Sequence, residues 1–328
     1  MRRNRELQRE YKEAAKFAEQ QQAAQSKEAA KFAEQQQAAH EVAMYENYIE
    51  LLMSVHKDCG DRWDWHALAT AWPPAPPGMR NTQEITARQL AAAYKPGFLD
   101  RMLGRDKQRA EALQQAIEHA KAEDLHVYSN EVRQHQHAHY LWSVQRMLAE
   151  RILAQDPSAY VTALDQASPF EELAAFKTRI RVTDARPDVV VLGCDVMGEE
   201  IVPSEELKLT ASGKLSTKNM PAGRYWALYQ DHVCACAIRV AREIFAVLPI
   251  QRAIVNVNSV HLDTSTGHHQ PVTFLAVHFA RTVLEQFNFA AIDPSDALRN
   301  FPNRMKFKKT AGFEPVEPIT TEEQWVST

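Results

Sequence analysis

The sequence predicts an α+β protein: a long N-terminal antiparallel helical hairpin, coiled-coil-like in character, followed by a compact mixed α/β domain of β-β-α-β-β-α order. Three observations lead there. No glycine precedes Gly60 and no proline precedes Pro73. A second tract free of both runs from Arg105 to Asp156. Because glycine and proline are the residues a helix interior tolerates least, each tract reads as one extended helix. Beyond Ser168 the pattern turns to short apolar runs rich in valine and isoleucine, divided by turn residues, which is how strands read. The expected domains are 1–156 for the hairpin, with a proline-rich connection near 58–104, then 157–318 for the α/β domain and 319–328 for a tail.

In the first helix the string KEAAKFAEQQQAA occurs twice without a mismatch, at Lys12 to Ala24 and Lys27 to Ala39. The repeat period is fifteen residues, about 3.75 per turn over four turns, longer than a left-handed coiled coil needs, so any supercoil is weak or right-handed. Phe17 and Phe32 are the large apolar anchors of the repeat, which therefore projects into water or pairs through its alanines. From Val42 the helix becomes richer, with Tyr45, Tyr48, Ile49, Leu52 and Met53 at spacings of three and four, a face that must pack on something. The second tract carries a matching stripe from Leu113 through Ile117, Leu125, Val132 and Leu148 to Leu153, and this is the expected hairpin partner. Between them, WPPAPPG at Trp72 to Gly78 favours extended polyproline geometry and KPGF at Lys95 to Phe98 marks a turn before a short helix.

Asp156 and Pro157 cap a short helix, and Ser168, Pro169 and Glu171 have the spacing of a capping box for another. Ile180 to Val182 and Val189 to Val196 then read as strands, the second apolar enough to be central. Arg224 to Leu248 reads as a buried helix stopped by Pro249. Strands at Ala253 to Val260 and Val272 to Phe279 are joined by a long HLDTSTGHHQ loop, and helices follow from Arg281 and, capped, from Asp293.

With 328 residues, 45% of them hydrophobic, the chain can bury a real core, and a net charge of -4 excludes a globally basic nucleic-acid binder. Four cysteines without a CxxC pair point away from disulfides and structural zinc and toward a cytoplasmic location. No apolar run of about 18 residues exists, and the basic start is followed by polar and acidic residues, so neither a membrane partner nor a signal peptide is expected.

At GKLSTKNMP (Gly213 to Pro221), YQDHVCACAIRVAREIFAVLP (Tyr229 to Pro249) and IDPSDALRNFPNRMKFKKTAGF (Ile292 to Phe313), the chain resembles a family of bacterial proteins of unknown function. The resemblance covers roughly Tyr45 to Pro318. Some members carry a small N-terminal domain, joined through a polar helical region; this sequence begins directly with the helix, so no role of that domain is expected here. The resemblance implies bacterial origin and a shared C-terminal domain, and supplies no active site.

Four constellations carry chemistry. On the helix from Arg224, spacings of four, three and four put His232, Cys236, Arg239 and Glu243 on one stripe, with Asp231 and Arg242 beside it: either a polar pocket or a solvated edge with ordinary ion pairs. Asp195, Glu206 and Lys208 follow the D…ExK order of metal-dependent nucleases, where two carboxylates hold Mg or Mn and a lysine orients the attacking water. Here the ExK segment reads as a charged loop rather than a strand. His135 and His139 share a helix face and could form half of a metal site, the alternative being a polar face. Arg304, Lys306, Lys308 and Lys309, with Phe307 and Phe313, could touch phosphate and base. Gly213, Lys214 and Ser216 lack the upstream glycine of a phosphate loop. The reading is an interaction or scaffolding module that self-associates or docks a protein partner through its helices, with no cofactor. The alternative is a nuclease acting on nucleic acid through Asp195, Glu206 and Lys208, and only that alternative calls for Mg or Mn.

Overall fold

The computed structural model describes residues 2–98, 102, 104–263 and 265–323. Side chains of residues 2–15, among others, and that of Phe17 lie outside the described residues, as does most of the short helix expected after Phe98. The chain forms two compact units, Met1–Trp63 with Gln155–Thr328, and Asp64–Ala154. It is mixed helix and sheet, with a long N-terminal helix and a C-terminal sheet domain.

The first unit opens with α1 (Arg2–Ser54), 53 residues built of alanine, glutamate, glutamine and lysine, about 80 Å long at 1.5 Å per residue. Residues 19–36 are exposed on every side except at Gln35, and Phe32 is 61% exposed. Contact starts at Glu34 and Gln35, which reach Lys214 and the Ser212 carbonyl, and Ala38, Val42, Leu52 and Val55 are buried.

Helices α2 (Trp65–Thr70), α3 (Thr82–Ala93) and α4 (Arg105–Leu153) make the second unit. Asp124, a buried carboxylate on α4, accepts from the Gln83 and Glu84 amides at 3.2 and 2.9 Å and so caps the start of α3, whose own Asn81 makes no side-chain cap. The extended proline segment is held to α4 by Trp142 Nε1 donating to the Ala71 carbonyl at 2.9 Å and by His135 Nε2 donating to the Pro74 carbonyl at 3.0 Å.

The matching stripes predict a hairpin of α1 with α4; within its own unit each long helix has partners of its own. The stripe of α1 from Ala38 onward packs in the sheet domain, and that of α4 receives α2, α3 and the proline segment. Similar periodicity identifies faces that need covering and carries no information about which face covers which.

After α5 (Pro157–Ala167), α6 (Glu171–Ala174) is a single turn. Asp156 caps α5 as expected, its carboxylate accepting from the Ser158 amide at 2.9 Å. The capping box expected at Ser168 does not form. Ser168 instead ends α5 in the left-handed conformation, φ 44°, with its hydroxyl turned back to the Asp165 carbonyl.

The sheet is ordered β1-β2-β5-β6-β7-β8, from β1 (Arg179–Arg186), β2 (Val189–Asp195), β5 (Arg252–Asp263), β6 (His268–Ala280), β7 (Asn303–Lys308) and β8 (Gly312–Glu314). Only β2 and β5 are parallel, because the crossover between them runs through α7 (Ala222–Val247); every other pairing is antiparallel. Strand β2, apolar and buried from Val189 to Cys194, lies between β1 and β5. Helix α7 packs against β5 and β6. Val189, Val191, Ile254 and Ala276 gather around Ile319, whose backbone exchanges two hydrogen bonds with the Asn256 side chain. The residue opening the expected tail is thus a buried plug.

Two additions extend the expected order: the β7–β8 pair, and a separate hairpin of β3 (Glu205–Leu209) with β4 (Leu215–Asn219). The ExK segment is therefore a strand, not a loop. Likewise much of HLDTSTGHHQ is ladder, His261 pairing with Gln270 and Asp263 with His268. Both are ribbons whose polar composition hides them, since their sequences show no sustained apolar alternation. Helices α8 (Arg281–Leu284) and α9 (Pro294–Ala297) complete the unit, the second capped by Asp293 as expected.

Candidate functional site on the polar stripe of α7

The stripe expected on α7 is buried, and its partner is the end of α1. His232 is fully buried. Its Nδ1 donates to the Leu52 carbonyl at 3.2 Å, which leaves Nε2 as the acceptor facing the Cys236 thiol at 3.6 Å. Burial pulls the imidazole down to about 4 and pushes the Cys236 thiol up to about 12. Cys194 and Cys234 are held well above the usual thiol range for the same reason. A nucleophile or a general base needs access and a pKa near working pH, and these groups have neither.

One turn on, Arg239 Nε donates to Glu243 at 2.7 Å, both side chains nearly dry, while Nη2 reaches the exposed Glu172 on α6 at 2.8 Å. The Glu243 carboxylate also accepts from the Gly60 amide, at 3.0 and 3.2 Å to its two oxygens. The approach is close, because a Cβ on residue 60 would stand 3.1 Å from Glu243 Oε2. Arg242 Nη1 gathers the carbonyls of His56, Lys57 and Asp58 just past the end of α1, and its guanidinium lies 3.8 Å from the centre of the Phe289 ring. These carbonyls belong to the turn that follows the helix, and a cation beside it also meets the negative end of the helix dipole. The Trp63 amide donates to the Ala246 carbonyl at 2.9 Å, closing the seam. Beside it, a polar cleft of about 590 Å³ lies between the 58–63 segment, the start of α6, and Arg239 with Glu243.

Asp231 points elsewhere, toward Asp293, Ser295 and Asp296 around α9, and burial raises it to about 6. Of the stripe and its flanks, His232, Cys236, Arg239, Arg242 and Glu243 are thus brought onto one seam, and Asp231 is not. What the sequence did not reveal was the other half of that seam: the Leu52 to Asp58 carbonyls, Gly60 and Glu172. The first glycine after a long helix was the one signal available.

The D…ExK residues divide differently. Asp195, at the end of β2, accepts from Arg181 at 2.9 and 3.1 Å and from Asn258 at 3.1 Å. Glu206 and Lys208, two apart on β3, form an ion pair at 2.9 Å, and Arg224 adds a second cation at 3.0 Å. The Lys208 ammonium, with Arg224, holds Glu206 below the usual carboxylate range. Glu206 and Lys208 are thus together, on a different sheet from Asp195. Among the described residues no three His, Cys, Asp or Glu side chains are grouped to hold a metal ion. His135 and His139 sit with ring centres 6.0 Å apart, His135 engaged with Pro74 and His139 against Trp142. In the basic run, Arg304 pairs with Glu323 and Lys308 with Glu314. No described helix is long and apolar enough to cross a membrane.

The chain matches no family model, no curated protein and no solved structure.

Proposed function

We propose that this protein is a helix-presenting interaction or scaffolding module, cytoplasmic, in which the sheet domain anchors the end of α1 and the uncovered part of α1 pairs with a second copy of the chain. The observation that carries this reading is the contrast along one helix. From Ala38 to the end of α1 the helix supplies buried core, and Leu52 and the carbonyls after Ser54 are gripped by α7; from residue 19 to 33 every residue is exposed. An alanine-rich helix kept this long outside a core is stable when a partner covers it. Burying one Phe32 side chain adds at most about 1.5–3 kcal/mol, so association is expected to be micromolar or weaker. The test is the mass by light scattering of the full chain and of a chain starting at residue 34, which keeps Glu34 and Gln35. Oligomers from the first and monomers from the second support the reading; equal association states contradict it.

The alternative is a nuclease of the D…ExK type, of whose residues Glu206 and Lys208 stand together on strand β3 while Asp195 lies on the other sheet. Its test is cleavage of single- and double-stranded DNA and RNA with magnesium or manganese. Metal-dependent cutting lost in a Glu206→Ala, Lys208→Ala variant supports it, and absence of cutting removes it.

A further inference from the structure

A second cavity, of about 510 Å³, opens in the sheet domain between the start of α7, strands β5, β6 and β8, and the turn at Gly198 to Glu200. Its wall is aromatic. The Trp226, Tyr229, Phe313 and Phe274 rings follow one another in contact, with centres 6.2, 5.7 and 5.7 Å apart, and His261 meets Phe274 edge-on at 6.0 Å. Trp226 is seated by a specific device. Gly312, at φ 77°, lies so close under the indole that a Cβ there would come within 2.4 Å of the ring.

The cavity also holds polar groups. Ser259 Oγ, on a residue 4% exposed, makes no hydrogen bond of normal geometry. The Tyr229 hydroxyl is near enough to feel it, yet is turned to the Met197 carbonyl at 3.4 Å. Glu199 and Glu200 stand on the rim, where their charge reaches both Tyr229 and Tyr225. Among the described residues neither carboxylate has a cationic partner within ion-pair distance. His269 completes the lining and is exposed.

Aromatic faces carry the negative part of the ring quadrupole, and a box of them closed by unpaired carboxylates favours a cation whose charge is spread over apolar groups. A hydrated ammonium or metal ion would lose more to desolvation than rings return. The geometry points to this cavity as a binding site for an alkylated ammonium group, held by the Trp226, Tyr229, Phe274 and Phe313 rings, with Glu199 and Glu200 supplying the countercharge and Ser259 a hydroxyl for a polar substituent. A free quaternary amine and a trimethylated lysine side chain share this chemistry.

Calorimetric titration of the full chain with choline, with its neutral isostere 3,3-dimethylbutan-1-ol, and with a short peptide carrying trimethyllysine tests this. Choline or the peptide should bind at least about tenfold more tightly than the isostere, which has the same shape without the charge. The tighter of the two cations identifies the source. Glu199→Gln with Glu200→Gln, both exposed and so harmless to folding, should remove the preference for charge, and Trp226→Leu should weaken both cations. Equal binding of choline and the isostere, binding indifferent to these variants, or no binding of either cation at millimolar concentration overturns the assignment.

Discussion

Replacing Glu243 by alanine tests the seam where it is driest. The substitution removes the acceptor of Arg239 Nε, at 2.7 Å, and both acceptors of the Gly60 amide, at 3.0 and 3.2 Å. Arg239, 5% exposed, keeps only Glu172, a side chain 77% exposed, and Asp58 at 4.0 Å. Removing one partner of a buried pair costs about 3–5 kcal/mol, and the surviving contact to Glu172 lowers that toward about 3 kcal/mol. With a urea dependence of order 2–3 kcal/mol per M, the unfolding midpoint should fall by about 1 M. Charge burial rather than packing is isolated by the pair Arg239→Met, Glu243→Gln, in which glutamine retains an oxygen for the Gly60 amide. That double variant should lose less than about 1.5 kcal/mol, well below the sum of the single losses. Hydrogen exchange in the Val55 to Trp63 segment should rise in Glu243→Ala and return toward the parent in the double variant. A Glu243→Ala protein within about 0.5 kcal/mol of the parent, or strictly additive single variants, would refute the account of the seam.

Two further outcomes follow from buried groups elsewhere. His232 is lowered by burial from 6.5 to about 4, so between those values the unfolded chain binds the extra proton and stability rises with pH by roughly 3 kcal/mol, complete above 6.5. His56, lowered by the same cause, adds to that slope. Asp231, raised by burial to about 6 from 3.8, acts with the opposite sign: its contribution is present below 3.8 and is lost as pH rises through 6. Denaturation of Asp231→Asn across pH 4 to 6.5 should therefore show a steeper rise than the parent, and a flat profile would contradict the buried neutral imidazole. In the helical unit, Asp124→Ala should cost about 1–2 kcal/mol and free the Gln83 and Glu84 amides to exchange, because no other side chain caps α3; unchanged exchange there would show the cap to be idle.

Much of the architecture is legible from local chemistry. The two glycine- and proline-free tracts mark both long helices, Val189 onward marks the buried strand, and Asp156 and Asp293 mark caps that form. The failures have physical causes. Ser168 has the sequence of an N-cap but ends the preceding helix, because one hydroxyl can serve either role and tertiary packing chooses. The ribbons at Glu205–Asn219 and around the Asp263 turn are polar in sequence, so no sustained apolar alternation marks them. Spacing alone does not say which helix covers which, because α1, α4 and α7 each offer an apolar stripe at the same spacing. Spacing alone placed His232, Cys236, Arg239 and Glu243 on one face, whereas their partners are backbone carbonyls and an amide, which no side-chain pattern encodes. The aromatic cavity draws Trp226, Phe274 and Phe313 from three elements distant in sequence, and only the fold brings them together.

The central claim is that α1 is gripped at its end and uncovered along the repeat until a second chain covers it. Hydrogen exchange along α1 at several protein concentrations tests it most directly. Amides from Val42 to Ser54 should exchange slowly at every concentration, while those from residue 19 to 33 should exchange fast in dilute protein and slow as concentration rises. Uniform slow exchange along the whole helix in dilute protein, or fast exchange at Leu52 and its neighbours, would contradict it.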